Sequence, residues 1–435
     1  SWIHCKLNGP KPHTVKKKIT YRKIKAVDTD LFASDIQNSD LFESNFENVN
    51  QFVSTYNRVL ESTLDKHAPS VSKVVTVHPS APWYDGEVNT AKKERRLAER
   101  RWRKSQLDVH KEIYLSKKDS VNNLLKEKKQ NHYNTIISEN TSQKSLFSVL
   151  NKLSKNEKET SNALPSHSSP KELADTFATF FSEKISKIRN KLDNLNSDLS
   201  PEYFEAPCDG LSVPVFDEFE PVTEDEVRKT IISSKSTSCQ LDPIPSSLLK
   251  VIIEVLLPVL TAMANMSFND GYYPDDFKFA LIIPLLKKLG LDLEELKNFR
   301  PVSNLAFISK LQERLAASRL STHMLANKLY EIFQSSYRKY HSTETPLLKV
   351  QSDILSALDN KKCVLLVLLD LSAAFDTIDH DVLLARLNSL LGVSGKALRW
   401  FSSYLKGRKQ AVLINGTKSD NVELKFGVPQ GSVLG

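Results

Sequence analysis

Cysteine is scarce in this chain. The four present (Cys5, Cys208, Cys239 and Cys363) are scattered, with no Cys-x-x-Cys pair. That argues against a zinc site or a disulfide framework and for a reducing, intracellular setting. Long apolar runs are also missing: none approaches the length of a membrane span, and the opening SWIHCKLNGPKPH lacks a signal-peptide core, so the chain is not read as secreted. There is no internal repeat. Negative charge is outnumbered, 52 acidic residues against 60 basic, for a net charge of +8. With an isoelectric point near 9.0, an anionic partner is expected, nucleic acid first and acidic lipid second. The chain begins without Met and stops at Gly435 inside a motif, so it reads as a fragment. What is present is ample: 435 residues, 40% hydrophobic, with 20 Phe and 12 Tyr. That is enough for two or three domains with real cores.

The most informative stretch runs from Cys363 to Leu391, CVLLVLLDLSAAFDTIDHDVLLARLNSLL. Cys363–Leu369 is unbroken apolar sequence of the length of a strand buried on both faces, and Asp370 stands at its carboxyl end. Beyond a short turn, Ile378, Val382, Leu383, Leu387 and Leu390 recur at helical spacing. An ionised carboxylate at the end of a buried strand needs a cation or hydrogen-bond donors to meet it, and ligands bind at that edge of an open sheet. For Asp376 and Asp379 the favoured reading is helix capping.

Upstream, Lys11–Lys25 is a basic connector and His67–Pro82 an extended linker. Apolar spacing between Asp28 and Leu64 predicts two short amphipathic helices. From Pro82 to Asn140 one long helical stretch is expected, its first half strongly basic: Lys92, Lys93, Arg95, Arg96, Arg100, Arg101, Arg103 and Lys104, with Trp102 among them. A solvated charged helix is the bland reading. The lopsided positive excess, and Arg beside Trp, suit phosphate and base-stacking contacts without sequence specificity.

Residues 152–170 read as a linker, Pro170–Leu195 as a helix and Asn194–Pro221 as a loop. Thr223 opens a helix with a capping box closing at Glu226, and Leu248–Ser267 is a buried helix. Phe279–Leu286 reads as a strand ending in Lys287 and Lys288, with Arg300 in the next turn before a helix over Leu305–Leu325. Spacing alone does not choose between ordinary surface charge and paired cations for a polyphosphate. Gln410–Phe426 reads as a hairpin turning at Asn415-Gly416. It leads into Gly427-Val428-Pro429-Gln430-Gly431-Ser432, where glycine lets backbone lie close against a ligand and Gln430 offers an amide donor and acceptor. The fold class is α+β, with a mainly helical amino-terminal region.

Together these stretches resemble the reverse transcriptase of a LINE-type, non-LTR retrotransposon. FALIIPLLKK and NFRPVSNL resemble its fingers motifs, QSSYRKYHSTET the loop before the palm, LLDLSAAFDTIDH the first palm motif and GVPQGSVLG the second. The resemblance implies the fingers and partial palm of a right-hand polymerase over 279–435. Before it would come an endonuclease tail and linker (1–81), a basic connector (82–151), a linker and helix (152–215) and a helical pre-polymerase region (216–278). It implies that Asp370, assisted by the Leu371 carbonyl, binds two magnesium ions that activate a primer 3′-hydroxyl and stabilise departing pyrophosphate. Phe375 would be the steric gate against ribonucleotides, Lys287 and Arg300 would hold the triphosphate, and Gln430 and Gly431 would line the nucleotide and template pocket. Asp370 is accordingly expected beside the Gly427–Ser432 turn, facing an open cleft.

The implied partners are an RNA template, a DNA primer, deoxynucleoside triphosphates and the element's own RNA in a ribonucleoprotein, in cytoplasm and nucleus, with no membrane. Three features depart from the pattern. Tyr340 stands where many relatives carry Gly, Pro346 sits early in the helix that follows, and the third palm motif, an aromatic-x-Asp-Asp hairpin, would lie beyond Gly435. One carboxylate cannot position two magnesium ions, so the chain as given is expected not to polymerise. The alternative is a non-catalytic RNA-binding remnant of such an element. Neutralising Arg100, Arg101 and Arg103 together should lower RNA affinity and flatten its salt dependence by roughly two units of slope; an unchanged slope in a salt titration would exclude these residues from phosphate contact.

Overall fold

The computed structural model describes residues 16–43, 45–76, 83–139, 164–196, 214–236, 239–288, 290–371 and 373–435. The possible strand at Ser1–Leu7 and most of the 152–170 linker lie outside the described residues. The chain divides into two compact units, one drawn from Ser1–Tyr21 and Val71–Thr160, the other from Arg22–Ser70 and Ser161–Gly435. The stretch 1–81, read as one tail and linker, is therefore shared between them.

In chain order, β1 (Lys16–Tyr21) precedes α1 (Thr29–Gln37), α2 (Asp40–Glu43), α3 (Val49–His67) and β2 (Val71–Thr76). The segments read as connector and linker are in fact paired. β1 and β2 run antiparallel from Lys16↔Thr76 to Tyr21↔Val71, which satisfies backbone groups that neither segment can satisfy alone. α4 (Gly86–Ser105) and α5 (Asp108–Glu139) complete the first unit. They replace the single long helix expected here, because Gln106 takes a left-handed conformation (φ 53°) that ends α4. The chain then doubles back. Lys117 meets Glu94 at 2.8 Å, and Lys128 meets Asp85 at 2.9 Å and Glu87 at 2.6 Å. Trp102 stacks on Tyr114, ring centroids 5.4 Å apart and 11° from parallel. One face of the Trp102 ring is thereby covered.

The second unit begins with α1–α3, whose caps follow from the polar residues between them: Asp28 accepts from the Asp30 and Leu31 amides, and Asn48 from Gln51. It continues with α6 (Pro170–Asn196), α7 (Glu224–Ser233), α8 (Ser246–Val251), α9 (Ile253–Asp270), β3 (Phe279–Leu286), β4 (Phe299–Asn304) and α10 (Phe307–Ala326). α11 (Glu344–Asp359), α12 (His380–Leu391), α13 (Gly395–Leu405), β5 (Lys409–Ile414), β6 (Thr417–Lys418) and β7 (Val422–Glu423) follow. Thr223 caps α7 as its motif predicts, but Glu226 does not close the box. Its carboxylate binds Arg319 of α10 at 2.8 and 3.0 Å.

The main core gathers Phe32 and Ile36 of α1, Tyr56 and Leu60 of α3, Leu256, Leu260 and Phe268 of α9, and Trp400 and Tyr404 of α13. Trp400 is fully buried. Its indole N–H donates to Ser267 Oγ at 3.0 Å, so the indole nitrogen is not left unpaired.

The sheet has the order β4-β3-β5-β6, with β7 also paired to β5. β3 is antiparallel to β4 and parallel to β5. The β3–β5 pairing covers Phe279–Ile282 and stops before Pro284, which sits opposite Pro301 of β4. Proline has no N–H to give a ladder, so these two residues mark where the sheet thins. Arg300, expected in a turn, lies on β4. The predicted Asn415-Gly416 turn is present, with φ of 50° and 85°. α6 covers one face of the sheet, its Phe177 and Phe181 packing with Ile282, Leu286, Phe299, Val412 and Ile414.

Residues 363–369 do not form the buried strand their composition predicts. They pair with none of the described strands, and Leu365 and Leu369 are 88% and 91% exposed. A strand is buried on both faces only when neighbours flank it, and none of the described strands lies beside this one. α11 likewise has no buried residue. Tyr340 adopts φ 66°, the region that favours glycine, at the position where the resemblance expects glycine.

Asp242, in the turn before α8, accepts from the Phe307 amide at 2.6 Å and so holds the start of α10. Its second oxygen is buried without a partner, and burial pushes the carboxyl up to about 6. Because the folded state keeps this proton longer than the unfolded chain, stability should fall as pH rises from about 4 to 6. Denaturation midpoints measured across that range should show the slope reduced in Asp242→Asn.

Candidate functional site

The turn at 427–431 is held against two other segments by backbone contacts that leave no room for a Cβ at Gly427 or Gly431. The Gly427 amide donates to Ile378 O at 2.8 Å and the Val428 amide to Phe375 O at 2.7 Å. His380 Nε2 donates to Gly427 O at 2.8 Å. From the other side, the Ser303 amide of β4 donates to Gln430 O at 2.8 Å. A Cβ on Gly427 would sit 2.4 Å from Phe375 O, and one on Gly431 would sit 2.9 Å from Ser303 O; both glycines have positive φ, 76° and 114°. Glycine is therefore required for the close approach as well as for the turn.

Gln430 spends its side-chain amide on Asp376, Nε2 to Oδ1 at 2.9 Å. Burial pushes the Asp376 carboxyl above the ordinary carboxylate range, opposed by that hydrogen bond and by the Lys184 charge. Asp379 is the residue that caps α12, accepting from the Asp381 and Val382 amides, and Arg189 of α6 pairs with it at 2.8 Å. Of the two aspartates read as caps, Asp379 caps and Asp376 does not. Lys287 follows the end of β3 and Arg300 lies on the adjacent β4. The Lys287 ammonium donates to Lys297 O at 2.6 Å and Arg300 Nη2 to Lys287 O at 3.3 Å. Lys287 is held below the ordinary lysine range by partial desolvation and by the charges of Lys184 and Arg300. Phe375 is half-buried, edge-on to Tyr337 at 6.4 Å.

The structure thus brings Phe375, Gln430 and Gly431 together beside β4, and Lys287 beside Arg300. It does not bring Asp370 to them. Asp370 is exposed, with no hydrogen bond or ion pair to any described residue, and Leu371 is 78% exposed. The carboxylate beside the glycine-glutamine turn is Asp376, and the 363–371 segment that carries Asp370 pairs with none of the described strands. In the first unit, Arg96, Arg100, Arg101, Arg103 and Lys104 are exposed along α4. Arg95 is half-buried, and Arg103 pairs with Glu99 at 2.6 Å.

Residues 286–435 match the family model described as reverse transcriptase (RNA-dependent DNA polymerase). The chain is 28% identical over 284 residues, 65% of its length, to a probable RNA-directed DNA polymerase from transposon BS of Drosophila melanogaster, covering 29% of that protein. It is 32% identical over 219 residues, half of this chain and 23% of the relative, to the RNA-directed DNA polymerase from mobile element jockey of Drosophila funebris. A third relative, a probable RNA-directed DNA polymerase from transposon X-element of Drosophila melanogaster, is 31% identical over 264 residues, 60% of this chain and 27% of that protein. The chain is a relative of the non-LTR retrotransposon reverse transcriptases. It spans less than a third of the length of these relatives. The 284-residue match is longer than the matched domain, so similarity to this reverse transcriptase family extends upstream of residue 286.

A reverse transcriptase implies divalent metal ions, which the donors present do not fit. Among the described residues no three His, Cys, Asp or Glu side chains cluster as a metal site, and Asp370 offers one exposed carboxylate where a pair of magnesium ions needs several. Sequence reasoning missed Asp376, His380 and Lys184 as neighbours of the turn. The one available signal was Gln430 itself, since an amide in a close-packed turn needs an acceptor. Gly427→Ala should destabilise the chain by about 2 kcal/mol or more. Gly407→Ala, with φ 72° and nothing within 4 Å, should cost only the backbone strain of about 1 kcal/mol. Equal melting temperatures for the two variants would contradict the close approach.

Proposed function

We propose that this chain supplies the nucleotide-gripping part of an RNA-directed DNA polymerase of the non-LTR retrotransposon kind. The 427–431 turn lines the pocket for the incoming deoxynucleotide and template base, and Lys287 and Arg300 hold the triphosphate. The reading is carried by the double attachment of Gln430, whose side chain binds Asp376 and whose carbonyl binds β4. That attachment fixes the turn against the Phe375 backbone and against β4, the strand that carries Arg300, and fixed geometry of this kind is what positioning a nucleotide requires. Phe375 acts as the gate beneath the sugar. The resemblance suggests Asp370 and the Leu371 carbonyl as metal ligands, a set that the single exposed carboxylate does not complete. Since one carboxylate is inadequate for that centre, this chain by itself is expected not to extend a primer. RNA template, DNA primer and the element's own RNA are the partners, in cytoplasm and nucleus. A second reading, an RNA-binding remnant, is favoured by the exposed arginines of α4.

Binding of fluorescent deoxyadenosine triphosphate against its ribonucleotide counterpart tests the pocket. The unsubstituted chain should prefer the deoxynucleotide, Phe375→Val should erase a preference of about ten-fold, and Phe375→Tyr should keep it. Equal binding of both nucleotides by the unsubstituted chain would count against the polymerase reading and leave the RNA-binding one.

A further inference from the structure

α10 carries a carboxylate on the face that it buries. Glu313 is fully buried, between Leu311 and Leu315, which are buried too. An acid taken out of water is unfavourable unless donors meet it. Here the donors come from beyond the glycine turn. Glu313 Oε2 accepts the Val433 amide at 2.6 Å and the Leu434 amide at 3.2 Å. The Tyr404 hydroxyl of α13 donates to the same oxygen at 3.4 Å.

The two amides belong to the residues that follow Ser432, whose own amide and hydroxyl close the turn on Pro429 O at 3.0 and 2.9 Å. The turn is thus fixed at its entry through Gly427 and Ile378, at its middle through Gln430 and Ser303, and at its exit through Glu313. Burial pushes the Glu313 carboxyl up, and the Val433 amide is the contact that most opposes the rise. Packing alone asks for an apolar side chain at such a position, whereas two buried backbone amides need an acceptor.

We propose that Glu313 is a positioning residue of the nucleotide site: it sets where the chain leaves the 427–431 turn and so keeps that turn seated on the Phe375 backbone. The inference rests on the nucleotide reading above and adds a group that acts on the pocket only through backbone. The competing account is that Glu313 only offsets the charge of Arg408, whose Nε and Nη2 are buried without a hydrogen-bond partner among the described residues.

The test uses the whole chain. Glu313→Met keeps the length of the side chain and removes the acceptor, Glu313→Gln keeps an acceptor oxygen without the charge, and Tyr404→Phe removes the third donor alone. Amide hydrogen exchange reads the anchor, and binding of fluorescent deoxyadenosine triphosphate against its ribonucleotide counterpart reads the pocket. In Glu313→Met the Val433 and Leu434 amides should lose protection, and the deoxynucleotide preference of about ten-fold should vanish. Glu313→Gln and Tyr404→Phe should keep both. A role in folding alone would lower the melting temperature and the fraction of chain that binds, leaving the ratio of the two affinities unchanged. An unchanged ratio in Glu313→Met therefore overturns the positioning role and leaves the nucleotide site standing. Loss of the preference in Glu313→Gln or in Tyr404→Phe assigns the effect to charge or to α13 and overturns it as well; if Glu313→Met does not fold, these two variants decide. Equal binding of both nucleotides by the unsubstituted chain overturns this inference and the nucleotide reading together.

Discussion

Backbone at 427–431 approaches backbone at 375–376 and at Ser303 more closely than a Cβ permits. Everything else at the site is arranged around that contact. It requires glycine at both ends of the turn, it places Phe375 beneath the turn, and it leaves Gln430 with Asp376 as its side-chain partner. Four backbone or imidazole hydrogen bonds hold the three segments together. Each contributes modestly, but the loss of any one leaves a carbonyl or amide in a crowded place.

α6 is the strut that makes this arrangement part of the larger fold. Its phenylalanines cover the sheet, Lys184 borders the cavity, and Arg189 reaches Asp379 and lies 4.5 Å from the Phe426 ring centroid. One helix thus touches β3, β4 and β5, the cap of α12 and the approach to the glycine turn. Arg319 does similar work further off, tying α10 to Glu226 and to the carbonyls of Glu220 and Pro221.

In contrast, α11 and the 363–371 segment carry apolar residues that the described structure leaves exposed: Leu347, Leu348, Leu355 and Leu358 on the helix, Leu365 to Leu369 on the extended run. A sequence of this kind records a capacity for burial. Burial itself needs a partner surface, and without one Asp370 stays in solvent while Asp376 takes the place beside the turn.

Much was legible in the residues alone. β3, α9, the Thr223 cap and the Asn415-Gly416 turn follow from local rules, because propensity, capping and turn conformation are decided within a few residues. The motif order over 279–435 identified the family for the same reason: each motif is contiguous. Contacts between distant segments were not legible. Nothing local says that Lys16–Tyr21 pairs with Val71–Thr76, that Gln106 folds a basic helix back on its neighbour, or that Gln430 chooses Asp376 over Asp370. Those outcomes depend on which surfaces meet, and only the tertiary structure brings residues 184, 303, 376 and 430 to one cavity.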